Sequence, residues 1–311
     1  MLTQLTDYHR DTTHASKSKL DVLHRSPFEY ALRFLYPELI PAHAKAFRPD
    51  ENARHFVIGQ ALDDVVTSNI PLSSKYFRGT SLPRNTTEGK AAHAKAIADN
   101  HGKKWLSPDE WEQVQGMAKA IRNSPFYSLI DTTRSQNTIT WTDPTTGLPC
   151  KCRPDWIKSF ETPELRQWLW KEIRSKNYEI EADEIVFDLK TIEGLLSWPK
   201  HVADFRYHVQ DALYLDGVNT FFNDGKTRVF AFMVVDVNWP HPVMVRTLPA
   251  EAERVGRSEY QQDLATLAAC RSIQLPASPT LAQVESAWPH IAGDWSETVM
   301  PSWWMFQNRN K

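Results

Sequence analysis

A change of pattern at residue 137 limits the folds that this 311-residue chain can adopt. Before that point apolar residues recur mainly at helical spacing, and after it runs of β-branched and aromatic residues alternate with helical segments. The predicted strands are 138–142, 149–157, 184–191, 228–237 and 243–248. The helical patterns among them are 162–176, 200–215 and 251–271. This order predicts an α/β fold in which a mixed central β-sheet is flanked by helices on both faces.

Capping patterns predict where the helices of the first half begin. Ser18 and Ser107 each precede an acidic residue three positions further on, which is the capping-box pattern. Ser26 precedes a proline, which the first turn of a helix accepts. A further helix is predicted over 53–67, with Phe56 on its apolar face.

The chain shows neither internal repeats nor a long low-complexity linker, which predicts a single domain over 1–311. Its core is expected at roughly 50–250, after a helical N-terminal segment 1–50. A Trp-rich C-terminal extension covers 275–311. Packing of this extension onto the body or a neighbouring subunit is favoured over a base-stacking platform, because basic residues do not alternate with its aromatic ones.

The charge balance narrows the classes of function. There are 36 Lys and Arg against 38 Asp and Glu, a formal net charge of −2 at pH 7. This balance excludes a polybasic protein that binds DNA through bulk charge. It leaves open a protein that segregates its charges into patches.

The sequence predicts a cytoplasmic protein. The most apolar run, 229–237, is far shorter than the roughly 20 residues of a membrane span. No apolar stretch typical of a signal peptide occurs near residue 1. Cys150 and Cys152 lie two apart in a predicted strand, a spacing that does not suit a disulfide. We therefore expect reduced thiols and no membrane partner.

Acidic residues follow two predicted strands. Pro154-Asp155 ends one run, and Asp188-Leu189-Lys190 ends another. Because alternate side chains of a strand share a face, Asp188 and Lys190 point the same way while Leu189 points into the core. If the two strands are neighbours, Asp155 meets Asp188. Paired carboxylates suit Mg²⁺ or Mn²⁺, and the lysine can hold an attacking water or stabilise the transition state. The alternative is a chance D-x-K beside two turn residues.

At these residues the chain resembles the PD-(D/E)xK nucleases. The segments 152–157, 188–191 and 207–214, in that order, resemble more particularly the exodeoxyribonuclease VIII (RecE-type) branch of phage and prophage recombination enzymes. Segments 86–92 and 16–20 also fit, so that the resemblance runs from about residue 8 to residue 270.

The resemblance implies a lambda-exonuclease-like fold and a magnesium-dependent, ATP-independent exonuclease. Such an enzyme degrades the 5′-ended strand of double-stranded DNA from its ends and leaves a 3′ single strand for an annealing protein. It also implies two metal ions per site, with Mn²⁺ able to replace Mg²⁺, and a homo-oligomeric ring of three or four subunits. The rival functions are an endonuclease of the same fold and a non-catalytic DNA-binding protein.

The resemblance also assigns roles to residues. Asp155 and Asp188 are metal ligands, the Leu189 carbonyl is a third, and Lys190 is catalytic. Gln210 and Tyr214 match a glutamine-and-tyrosine helix motif that supports the site, and His208 is a further supporting candidate.

One position departs from the pattern of the relatives. Many of them carry a histidine four residues after the glycine that corresponds to Gly59, whereas this chain has Asp63. Asp63 is expected to replace that histidine as an oxygen ligand. The alternative is that Asp63 and Asp64 are solvated helix residues.

Weaker candidates concern phosphate binding. Ser16, Ser18 and Arg25 are candidates for a pocket that takes the terminal 5′ phosphate, although helix capping explains the serines equally well. Further candidates for contacts with backbone phosphates are Arg84, Thr86 and Lys90. Arg153 is expected on the strand face opposite Asp155.

Overall fold

The structure is a computed structural model that describes residues 8, 10–44, 53–83, 85–160 and 182–289. The predicted helix at 162–176, Arg84 and the last part of the Trp-rich extension lie outside these residues. Within them, the α-helices are α1 (Lys17–Arg25), α2 (Pro27–Phe34), α3 (Arg54–Val66), α4 (Leu72–Lys75), α5 (Thr87–Asp99), α6 (Pro108–Asn123), α7 (Trp198–Asp204), α8 (Tyr207–Phe222), α9 (Ala250–Ser272) and α10 (Leu281–Ala287). The strands are β1 (Tyr76–Arg78), β2 (Lys104–Leu106), β3 (Ile139–Thr142), β4 (Pro149–Cys152), β5 (Trp156–Ser159), β6 (Glu184–Ile192), β7 (Arg228–Asp236) and β8 (Val243–Arg246).

The main sheet is mixed, in the order β5-β6-β7-β8. Strands β6 and β7 are parallel, and the two outer pairs are antiparallel. One face packs on α3 and α6 through a core that includes Leu62, Met117 and Phe187. The other packs on α8 through Val186 and Val218, among others. The expectation of a mixed sheet with helices on both faces is confirmed for this four-stranded sheet.

Two smaller sheets accompany it, a parallel pair β1-β2 and an antiparallel hairpin β3-β4. The predicted single strand 149–157 is wrong, because β4 and β5 belong to different sheets. The chain leaves the strand conformation at Arg153, and Pro154 has no N–H with which to continue a ladder. Three residues, 153–155, therefore connect the hairpin to the main sheet.

Two predicted helix caps are confirmed, whereas one predicted helix start and one predicted helix are wrong. The Ser107 capping box and the Ser26 cap are both present. The first helix begins at Lys17, so that Ser16 and not Ser18 is its N-cap. The predicted helix 200–215 is two helices, α7 and α8, which are separated at Arg206, where φ is 50°.

A second correction concerns α3. Its bounds agree with the predicted 53–67, but Phe56 is 62% exposed instead of lying on the buried face. Val57 and Ala61 are buried in its place. At the start of α3, the buried face therefore begins one residue later than predicted, at Val57 instead of Phe56.

The N-terminal helices pack on the later part of the chain. Residues of α1 and α2 share a core with α8, α9 and α10. Trp288, from the start of the Trp-rich extension, is buried and stacks on Tyr30 with 5.7 Å between the ring centroids. This part of the extension thus packs on the body. Across the described ranges, no helix combines the length and apolar composition that crossing a bilayer requires.

Candidate active site

The antiparallel pairing of β5 with β6 places Asp155 beside β6. Trp156 is fully buried, stacks on Phe187 and donates a hydrogen bond to the Leu129 carbonyl, which anchors the start of β5. The Asp155 backbone N–H donates to the Phe187 carbonyl at 3.0 Å. Its Oδ2 accepts a hydrogen bond from the Leu189 N–H at 2.6 Å. The carboxylate therefore lies at the edge of β6, next to Leu189.

Asp188 and Lys190 share the face of β6 that packs on α8. The Lys190 Nζ lies 2.5 Å from Oδ2 of Asp188. Gln210, from α8, donates from Nε2 to Oδ1 of Asp188 at 2.5 Å. Leu189 packs against the core on the opposite face. The structure thus brings Asp155, Asp188, Lys190 and Gln210 together.

The Oδ2 atom of Asp188 is incompletely satisfied. It is buried and accepts no hydrogen bond of acceptable geometry from the described residues, although the Lys190 ammonium is close. A buried carboxylate oxygen without a hydrogen bond is costly. Its lone pairs are available to a cation.

Asp63 reaches the site from α3, which approaches the end of β6 closely at Gly59. A single amide links it to Asp155. The Gln136 Nε2 lies 2.8 and 3.0 Å from the two carboxylate oxygens of Asp63 and 3.0 Å from Oδ1 of Asp155. The Thr67 hydroxyl also contacts Asp63.

Asp64 has a different role from Asp63. It is buried, accepts a hydrogen bond from the Tyr76 hydroxyl at 2.9 Å and pairs with Lys75 at 2.5 Å. The view of Asp64 as a solvated helix residue is therefore wrong, because it ties α3 to the region around β1.

Negative charge dominates this part of the molecule. Burial, together with the Asp188 and Asp63 carboxylates, raises the pKa of Asp155 well above its ordinary value. Burial and the Asp64 and Asp188 carboxylates raise the pKa of Asp63 to about 6. Burial opposes the charge on Lys190, but the adjacent Asp188 carboxylate raises its pKa above the ordinary value. The carboxylates repel one another, and the lysine stays protonated.

The donor set fits a hard divalent cation. It consists of carboxylate oxygens, with a buried Oδ2 that has spare acceptor capacity. Because the N–H and C=O of a strand residue face the same edge, the Leu189 carbonyl faces the Asp155 side. In the described part of the chain, however, no three His, Cys, Asp or Glu side chains are already spaced to hold a metal ion. The Gln136 amide lies between two of the carboxylates instead.

Other predicted residues lie elsewhere or have ordinary roles. Tyr214 is buried against the Phe230 ring. His208 pairs with Glu259 of α9 at 3.3 Å. Arg25 is exposed and pairs with Glu29 at 3.2 Å.

The weaker phosphate candidates have local explanations. The hydroxyls of Ser16 and Ser18 are 3.5 Å apart near the start of α1. Thr86 caps α5 by accepting from the Gly89 N–H at 3.0 Å, and Lys90 is exposed on the same helix.

Sequence reasoning missed two residues of the site and misplaced a third. Gln136 has a left-handed backbone with φ 53° and stands just before β3, where strand periodicity gives no information. The Tyr207 ring lies 4.8 Å from Lys190 Nζ. Arg153 lies on the same side as the carboxylates, since its Nε donates to Oε1 of Gln136 at 2.9 Å. The rule of alternating faces failed there because residues 153–155 are outside any strand.

Comparison with known proteins finds a likeness of fold. The structure is similar to the crystal structure of the "Putative exonuclease" from Eubacterium rectale, with a TM-score of 0.52 over the whole of both chains. The two sequences are 11% identical, so the likeness shows the fold alone. No family model matches the chain, and the search of curated proteins finds no match.

Proposed function

We propose that this chain is a magnesium-dependent exonuclease of the PD-(D/E)xK type. It would degrade the 5′-ended strand of linear duplex DNA and leave a 3′ single strand. The observation that carries the proposal is the convergence of Asp155, Asp188 and Lys190 around the middle of β6. The fold likeness to a protein described as an exonuclease supports the reaction class. The RecE-type motifs support the substrate and the polarity.

Four groups would hold the cation. They are the carboxylates of Asp63, Asp155 and Asp188 and the carbonyl of Leu189, all of them hard oxygen donors. When bound, Mg²⁺ or Mn²⁺ lowers the pKa of water and offsets the charge of the phosphodiester. Gln210 donates to Oδ1 of Asp188 and so orients the carboxylate, with Oδ2 beside the Lys190 ammonium.

Lys190 acts as a cation. The neighbouring Asp188 and Asp155 carboxylates raise its pKa above the ordinary value, which favours the protonated ammonium. Its Nζ faces the Tyr207 ring, which adds a cation–π contact that orients the side chain. In this place the ammonium can stabilise the negative charge that develops on the phosphate as water attacks phosphorus and the leaving oxygen departs.

The test is release of nucleotides from linear duplex DNA with Mg²⁺. Wild-type protein should release them, and Asp188→Ala and Lys190→Ala should not. Covalently closed circular DNA should stay intact, and cleavage of it would favour an endonuclease. Duplexes labelled at either the 5′ or the 3′ end report the polarity. A protein that binds DNA but cuts none of these substrates would be the non-catalytic alternative.

Assembly is part of the proposal, with the RecE-type resemblance as its support. A ring of three or four copies around DNA would keep the enzyme on its substrate, and an annealing protein would take the exposed 3′ strand. Light scattering at working concentration measures the mass of the assembly. A monomer in the presence of linear duplex DNA would refute the ring.

A further inference from the structure

Gln136 occupies a central place among the acidic residues of the site. Its Nε2 lies within 3.0 Å of three carboxylate oxygens, two from Asp63 and one from Asp155. An amide nitrogen carries two protons, and here both are directed into the space between two carboxylates. The partially positive NH₂ group thus offsets a repulsion that would otherwise separate the carboxylates.

The backbone of Gln136 is fixed as well. Its N–H donates to the Asp155 carbonyl at 2.9 Å, which ties the residue to the segment that carries the carboxylate. Its φ of 53° is uncommon for a residue other than glycine. The surrounding contacts hold this conformation against its intrinsic cost.

Arg153 determines which way the amide faces. Its Nε donates to Oε1 of Gln136 at 2.9 Å, so the oxygen faces the guanidinium and the nitrogen faces the carboxylates. A 180° rotation of the amide would direct its N–H groups at the guanidinium, where two donors would face each other. The amide therefore keeps its protons on the acidic side.

We infer that Gln136 is a positioning residue that takes the place of a cation between Asp63 and Asp155 and competes with divalent metal for their oxygens. This inference rests on the proposed function. A metal ion must approach carboxylate oxygens along the same lone pairs that the amide protons now use. The amide has to withdraw before either carboxylate can bind the metal through those lone pairs.

The sign of the effect distinguishes this role from its alternative. If the amide competes with metal, its removal should tighten metal binding. If the amide instead turns and ligates the metal through Oε1, its removal should weaken binding. A residue that only supports the fold would change the stability and leave the metal affinity unchanged.

The experiment is calorimetric titration of the full chain with Mn²⁺ alone, without DNA. Gln136→Met removes the donor with little change of volume. Gln136→Gly removes the whole side chain and suits the positive φ, so it protects the test against a folding failure. Both should bind Mn²⁺ about tenfold more tightly, the order expected when hydrogen bonds to a charged group are removed.

The matched control is Gln113→Met. The Gln113 amide donates to the Val237 carbonyl at 2.9 Å and makes no contact with the carboxylates, so the Mn²⁺ affinity should stay within about twofold of wild type. Equal or weaker binding by both Gln136 variants would overturn the inference. If wild type binds Mn²⁺ and Asp188→Asn does not, the proposed function would survive that failure. If neither wild type nor the Gln136 variants bind Mn²⁺, the metal site and this inference fail together.

Discussion

Strand β6 carries one buried carboxylate at its start and another at its centre, and their surroundings are opposite. At its start, Glu184 is 1% exposed, and four donors surround it. They are Arg134, Lys226 and Ser159 on Oε1 and Arg228 on Oε2, all within 2.9 Å. Four residues further along the same face, Asp188 has one amide donor and one nearby ammonium.

The pKa values express the same contrast. Burial would raise the pKa of Glu184, but hydrogen bonds from its four partners hold it well below the ordinary value. Beside the centre of the strand, burial and like charges raise the pKa of Asp155. A carboxylate whose acceptors are saturated by the chain stabilises the fold. Asp188, which has fewer donors and lies beside a second carboxylate, is suited to a partner from outside the chain.

The largest effect is expected from Asp188→Asn. It removes the charge of a proposed metal ligand, and such metal contacts contribute several kcal/mol to the transition state, so activity should fall by about 10³-fold or more. Nucleotide release from linear duplex DNA measures it. Activity within tenfold of wild type would remove the distinction between the surroundings of Asp188 and those of Glu184.

Glu184→Gln should act on stability. It leaves Asp224 as the remaining carboxylate partner of the buried Arg228 guanidinium, and breaking the buried ion pair with Glu184 costs about 3 kcal/mol or more. Urea unfolding measures the loss. Cleavage per folded molecule should stay at the wild-type level, and a specific loss of cleavage would place Glu184 in the catalytic machinery.

The same variant has a pH signature. Because the folded pKa of Glu184 lies below its ordinary value of 4.5, the carboxylate stabilises the fold above that pH. The stabilisation disappears as the pH falls below 4.5 towards the folded pKa. Glu184→Gln should therefore flatten the acid side of the stability curve relative to wild type.

Metal binding should raise the stability of the folded protein only where Asp188 is intact. Ligand binding to the folded state at 100 times Kd adds about 2.7 kcal/mol, which raises the melting temperature by several degrees. Thermal unfolding with Mn²⁺ should show this increase in wild type and in Glu184→Gln, and chelation should reverse it. Asp188→Asn should show no increase. An equal increase in Asp188→Asn would locate metal binding elsewhere.

The surroundings of Asp188 could be predicted from the sequence better than those of Glu184. The placement of Asp188 and Lys190 on one face follows from the two-residue period of a strand, and the pairing of Asp155 with β6 needed only that the strands be neighbours. The partners of Glu184 could not be predicted in that way. They come from a short helical turn, the end of β5 and the segment around the start of β7, which only the tertiary fold brings together.

The errors have physical causes as well. Periodicity cannot show that one extended run serves two sheets, so β4 and β5 were merged across Pro154. Gln136 and Arg153 are outside strands, and their contacts depend on local backbone geometry that no repeat encodes. A mixed sheet flanked by helices could be predicted from the residue pattern, whereas the number of its strands and the polar contacts around Glu184 and Asp188 could not.

A smaller effect is expected from Gln210→Met, which removes the amide donor from Asp188. Loss of a group that orients a metal ligand typically costs 10–100-fold in metal affinity or activity. Mn²⁺ titration and nucleotide release measure the two. Stability should change less than in Glu184→Gln, since no charge is left unpaired. Unaltered metal affinity would mean that Asp188 does not need this amide.

The smallest effect is expected from Ser159→Ala, the counterpart of Gln210→Met at the start of β6. The Ser159 hydroxyl donates to Glu184 at 2.8 Å and accepts from Arg134 at 2.6 Å. Its loss should cost only about 1 kcal/mol in urea unfolding, because three cations still satisfy the carboxylate. Activity should not change, whereas Gln210→Met should lower it. A loss of unfolding free energy as large as that of Glu184→Gln would show that the Glu184 network depends on each donor. An excess of donors around Glu184 would then not explain its difference from Asp188.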